Sequence, residues 1–142
     1  MTFRPGTVRG APAAAAPTPG QVDYRLARNS VVKEFKRGRL SRLDVCDAHP
    51  ELLRAANGLG TPADQPCPIC EDETLVHVSY AFGSRLPPGG AAFAGAAELA
   101  KLTRRAGDVA CYVVEVCPAC SWNHLARTYA ASAARRRRPS SS

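Results

Sequence analysis

Two cysteine pairs, Cys67-Pro68-Ile69-Cys70 and Cys117-Pro118-Ala119-Cys120, constrain this chain more than anything else in it; 46 residues separate them. Two residues between cysteines let one tight turn aim both sulfurs at a single point, and proline in each turn restricts the backbone toward that shape. Two such turns supply four soft ligands, the number a tetrahedral Zn²⁺ site takes, with Zn–S near 2.3 Å. The pairs therefore predict one structural zinc ion held by Cys67, Cys70, Cys117 and Cys120. Four protein ligands leave no open coordination position, which argues against catalytic zinc. A thioredoxin-type dithiol would need its motif at the start of a helix in a βαβ unit, and the flanking sequence offers none.

The compartment supports metal over disulfide. Ala13 to Ala16 are bracketed by Pro12 and Pro17, so the N-terminal stretch lacks the continuous apolar run of a signal peptide, and nothing approaches the length of a membrane-spanning helix. The expectation is a cytoplasmic protein, where thiols stay reduced, with no membrane partner. Aromatic residues make up only 6% of 142 residues, so the core is thin enough for a metal to matter. The net charge of +7 is unevenly placed. Residues 1–20 carry +2, Arg135 to Arg138 carry +4, residues 21–60 carry +3, and residues 61–134 carry −2. Basicity thus belongs to a helical segment and the tails, and four zinc-bound thiolates would make the cysteine region more acidic still.

Along the chain, residues 1–20 (MTFRPGTVRGAPAAAAPTPG) and 131–142 (ASAARRRRPSSS) read as disordered tails. Between 21 and 60 the pattern is helical. Val22, Leu26, Val32 and Phe35 recur at helical spacing up to Gly38. Ser41 with Asp44 opens a short second helix, and Pro50 opens a third that closes at Asn57-Gly58. Three short helices are compatible with a helix-turn-helix, although such units often bind no DNA. Past Thr61-Pro62 the character changes. Thr74 to Phe82 alternates like a strand, residues 83–95 read as a Gly/Pro loop, and Ala96 to Arg105 as a helix ended by Gly107. Val109 to Val116 is a strand apolar on both faces, and Trp122 to Tyr129 is a third strand or a helix.

The remaining chemistry-bearing residues have quieter readings. Cys46 and Cys111 lie outside the pairs and read as small buried hydrophobes. His124 could replace a cysteine ligand but reads better as a strand histidine in an ordinary hydrogen bond; His49 reads as the residue leading into a helix and His77 as polar-face. No Ser/His/Asp or Cys/His set points to catalysis, and no phosphate-binding glycine loop is present, so the chain is expected not to be an enzyme. Trp122 follows the second knuckle directly. It either packs over the zinc site or stands exposed as an anchor for a partner. Arg135, Arg136, Arg137 and Arg138 form either a tether for nucleic acid or an acidic surface, or a solvated tail.

Val22-Asp23-Tyr24, Val45-Cys46-Asp47-Ala48, Leu52-Leu53-Arg54-Ala55-Ala56, the two knuckles, and Val114 to Cys117 with Cys120-Ser121-Trp122-Asn123-His124-Leu125 resemble a family of short actinobacterial proteins known only as a domain of unknown function. The resemblance spans about residues 21–130 and implies one compact unit without catalytic residues. The knuckles also look like those of zinc ribbons in transcription and translation machinery. There a glycine often follows the second cysteine; Glu71 and Ser121 stand in those places here. Together these readings predict an α+β protein. A three-helix arm (21–60) precedes a small zinc ribbon of two or three antiparallel strands (61–130), with tails on either side. Three functions fit. The first is an accessory factor docking on polymerase or ribosome, with nucleic acid contacted by arm and tail. The others are a protein–protein adaptor and a thiol redox sensor.

Overall fold

The computed structural model describes residues 21–132. Its centre is the strand that the sequence marks as apolar on both faces. This strand, β5 (Val109–Val116), lies between β3 (Thr74–Phe82) and β6 (Asn123–Ala131), antiparallel to both. β1 (Val22–Asp23) extends the sheet beyond β6, and β2 (Thr61–Pro66) and β4 (Ala91–Phe93) pair along the outer side of β3. A buried strand flanked on both sides must be apolar on both faces, which is why six of the eight β5 positions from Cys111 onward are buried.

Partners across an antiparallel ladder share a face. Val76↔Val116, Val78↔Val114 and Tyr80↔Tyr112 therefore point one way, and His77↔Glu115, Ser79↔Val113 and Ala81↔Cys111 the other. Helix α3 (Pro50–Leu59) lays Leu52 and Ala56 on the first face. Helix α4 (Gly95–Ala106) lays Leu102 and Ala106 on one end of the second, against Ala81 and Cys111. Its other end meets α1 (Arg25–Lys36) and the one-turn α2 (Arg42–Val45), whose Val32 and Val45 pack with Leu75, Trp122, Cys67 and Cys117. The sheet is thus covered on both sides by helices and has three apolar cores.

Local signals set the helix ends. Ser41 accepts from Asp44 N–H while Asp44 accepts from Ser41 N–H, a reciprocal cap. Pro50 occupies the first turn of α3, and His49 caps it by accepting from Glu51 N–H at 3.0 Å. Gly38, at φ 81°, takes the left-handed position past α1.

The α+β class holds, with differences in arrangement. Three helices do fall within 21–60, but they are spread over both faces of a six-stranded sheet instead of forming an arm beside a two- or three-stranded ribbon. Val22–Asp23 is a strand edge, so α1 begins at Arg25. The expected loop 83–95 contains β4, and residues 61–66 form β2. Trp122 to Tyr129 is a strand, β6, running on to Ala131. The tail expectations for 1–20 and from 133 onward lie outside the described residues. No helix among the described residues is long and apolar enough to cross a membrane.

Candidate metal centre

Each cysteine pair sits on a turn hung from the sheet. The first follows β2 and returns toward β3; the second joins β5 to β6. Cys67 N–H donates to the Glu73 carbonyl at 2.8 Å and Cys117 N–H to the Trp122 carbonyl at 2.9 Å, so the first cysteine's N–H closes each turn. Inside them, Glu71 N–H donates to the Cys67 carbonyl (3.1 Å) and Ser121 N–H to the Cys117 carbonyl (2.9 Å). Backbone donors also reach sulfur: Ile69 N–H to Cys67 Sγ and Cys120 N–H to Cys117 Sγ, each at 3.4 Å. Glu71 and Ser121 adopt φ 62° and 77°, the left-handed conformation that glycine would take without strain. The departure from glycine therefore leaves the turn geometry in place.

The four Sγ atoms lie within 4.8 Å of one another and could hold a metal ion. Two of their separations, Cys67–Cys120 and Cys70–Cys117, are 3.7 Å. A tetrahedron with metal–sulfur bonds of about 2.3 Å has edges of about 3.8 Å, so these spacings suit a tetrathiolate site. Cys67 and Cys117 are fully buried, and Cys70 and Cys120 half-buried. Burial pushes the Cys117 thiol up to about 11 and Cys120 higher still. At Cys70 burial acts in the same direction but is outweighed, chiefly by the Asp72 N–H and the Cys117 thiol, which hold it below the ordinary thiol value. Binding a dication here must displace protons.

Trp122 is fully buried against this site and donates its indole N–H to Glu115 Oε2 at 2.7 Å. It packs over the cysteines, so the exposed partner anchor is not what Trp122 provides. The same carboxylate oxygen accepts from Arg28 Nε at 3.0 Å, tying α1 to β5. The sequence reading missed this buried ion pair. Its signal was a single carboxylate, Glu115, in an otherwise apolar strand. His124 is buried, stacks on Trp122 and bonds the Leu125 carbonyl through Nδ1 at 2.7 Å, away from the four sulfurs. Cys111 is a buried small side chain among Ala81, Leu102 and Val109. Cys46 differs from its expectation: its thiol reaches Cys120 Sγ at 3.5 Å, making it a fifth sulfur beside the set. Arg135, Arg136, Arg137 and Arg138 lie outside the described residues.

Beside the centre, a cleft of about 740 Å³ runs between α1 and the first knuckle, lined among others by Arg28, Lys36, Gln65, Glu71, His77 and Arg127. Burial lowers the His77 pKa; Glu115 opposes this and Arg127 adds to it.

No solved structure matches the chain. It is 46% identical over 118 residues to uncharacterized protein Rv0049 of Mycobacterium tuberculosis (strain ATCC 25618 / H37Rv), covering 83% of this chain and 86% of that one. The same figures hold for uncharacterized protein Mb0050 of Mycobacterium bovis. The model of the family of unknown function DUF5318 matches residues 18–142, so the chain belongs to that family.

Proposed function

We propose that this protein is a non-enzymatic, cytoplasmic zinc protein, an accessory factor that docks on transcription or translation machinery and contacts nucleic acid there. The observation that carries the zinc reading is the closed set of four thiols within 4.8 Å of one another, two of the separations being 3.7 Å, a donor set suited to structural Zn²⁺ and leaving no position for substrate. Cys67, Cys70, Cys117 and Cys120 would hold the ion, which would supply cross-linking and no reaction step.

Support for the nucleic-acid contact comes from α1 and the turn after it. Residues 25–42 carry seven cations, Arg25, Arg28, Lys33, Lys36, Arg37, Arg39 and Arg42, against the single acid Glu34. All but Arg28 are exposed, and α1 forms a wall of the cleft, so a phosphate backbone could lie along the helix and enter beside Lys36. Fluorescence anisotropy with labelled RNA and DNA across a salt series tests this. Each of Lys36→Ala and Arg37→Ala should flatten the slope of log K against log salt by about one unit per lost phosphate contact. If deleting residues 135–142 abolishes binding while both substitutions leave the slope unchanged, the folded face contributes nothing and the reading fails.

The protein–protein adaptor is favoured by a separate observation: Leu26 and Leu43 are 84% and 87% exposed on the same helices. Capture of partners that survives nuclease and is lost on Leu26→Ser with Leu43→Ser would select the adaptor.

A further inference from the structure

Cys46 closes α2, where its N–H donates to the Arg42 carbonyl at 2.7 Å. The two residues after it are fastened to the second knuckle. Ala48 N–H donates to the Ser121 carbonyl at 3.0 Å, and Asn123 Nδ2 donates to Asp47 Oδ1 at 3.0 Å. Held from both sides, the Cys46 thiol donates to Cys120 Sγ at 3.5 Å, closer than the 3.7 Å separations within the metal set. Cys46, Cys70 and Cys120 are half-buried, whereas Cys67 and Cys117 have no exposed surface. A small oxidant from solvent therefore has access to Cys70 and Cys120, and Cys120 has beside it, at 3.5 Å, a thiol that the metal set leaves unligated.

We propose that Cys46 is the resolving thiol of the metal centre: a hydroperoxide oxidises Cys120, and Cys46 then forms a Cys46–Cys120 disulfide that removes one ligand from the ion. In the first step the Cys120 thiolate attacks the peroxide, the O–O bond breaks, and Cys120 becomes a sulfenic acid while the departing hydroxide takes a proton from solvent and leaves as water. In the second, Cys46 sulfur attacks the Cys120 sulfur. The S–S bond forms, the S–O bond breaks, and a second water carries away the Cys46 proton. One thiolate, one thiol, one peroxide and one solvent proton thus give one disulfide and two waters. The sulfurs must close from 3.5 Å to about 2.05 Å. Three cysteines then remain for the ion, and a thiol reductant restores the fourth.

Release of metal rests on the zinc reading above; formation of the disulfide does not. The experiment treats the full zinc-loaded chain with hydrogen peroxide. Zinc content is measured before oxidant, zinc release with a chromogenic chelator, and disulfides by peptide mapping without reduction. The expected result is a Cys46–Cys120 cross-link forming in step with zinc release, both reversed by dithiothreitol. Cys46→Ala and the near-isosteric Cys46→Ser should keep their zinc and release it about tenfold more slowly under the same peroxide. Cross-links confined to Cys67, Cys70, Cys117 and Cys120, or wild-type release from a zinc-loaded Cys46 variant, would overturn the proposal. If a variant fails to fold, mapping of the unsubstituted chain still decides. A chain that never holds zinc defeats the zinc reading, and the same map on the free thiols then decides the cross-link.

Discussion

Glu71 and Ser121 occupy backbone angles that a β-carbon disfavours, yet each directly follows the second cysteine of its turn, where the chain must bend back for its N–H to reach a carbonyl. Glu71 is exposed, so its side chain can be changed with little effect on packing. Glu71→Gly is expected to change stability by no more than about +1 kcal/mol, because relief of strain is partly offset by the greater freedom of glycine in the unfolded chain. Glu71→Val should cost about 1–2 kcal/mol, since a branched β-carbon suits this conformation least. Denaturant titration of the two variants checks the contrast; equal midpoints would mean that the turn has relaxed. The other residue-scale stake is Glu115, which is 5% exposed and accepts from both Arg28 and Trp122. Arg28→Ala strands that buried carboxylate and should destabilise by about 3 kcal/mol. In a Glu115→Gln background, where the amide oxygen still accepts from the indole, the same change should cost under about 1 kcal/mol. Equal costs in the two backgrounds would show that Arg28 acts through its stem and not its charge.

Among the elements, what could be read from sequence follows from how much each one's own residues determine it. Val109 to Val116 could only be a strand covered on both faces, and the caps at Ser41 and Pro50 work within a single turn. β2 was illegible because Thr61-Pro62-Ala63-Asp64-Gln65-Pro66 is mostly exposed, carries two prolines and a left-handed Asp64, and pairs irregularly with β3. Its strand character comes from the neighbour it lies on. In β6 a bulge at Ala126 breaks the alternation. Leu125 opposite Val114 and Thr128 opposite Tyr112 share one face although they are three residues apart. The alanines of this segment left strand and helix undecided, and the broken alternation did not decide between them. The four ligands were legible from their spacing, but Cys46 was not, because 74 residues separate it from the sulfur it touches. β5 also carries a pH signature. Burial raises Cys111 to about 11, and burial together with Cys111 raises its cross-strand partner Tyr129 to about 12. A raised acid is favoured neutral in the folded state, so its stabilisation is intact below the unfolded value and lost as pH rises through the folded one. Wild type should therefore lose on the order of 2 kcal/mol more than Cys111→Val between pH 9 and 11. Parallel stability curves for the two proteins would show that Cys111 ionises freely in the fold.

For the molecule as a whole, the three cores divide the consequences of metal loss. One is built on the cysteines, with Cys67, Cys117 and Trp122 packed against Val32 and Val45. The other two lie farther along the sheet: Leu52 and Ala56 on one face, Leu102 and Ala106 on the other, neither containing a metal-set cysteine. A minimal ribbon has nothing else to bury and unfolds when its ion is removed. Here a six-stranded sheet keeps two apolar contacts of its own, so chelation should act on one end of the molecule. The single tryptophan reports on that end directly, being fully buried beside the knuckles. Stripping the metal with a strong chelator under reducing conditions is expected to red-shift Trp122 fluorescence and lower the thermal midpoint by at least ~10 °C, while far-UV circular dichroism keeps its sheet signal at room temperature. Collapse of the far-UV signal together with the fluorescence would make the metal the keystone of the entire fold. An unmoved fluorescence spectrum would mean that the packing of α1, α2 and the knuckles holds without any ion.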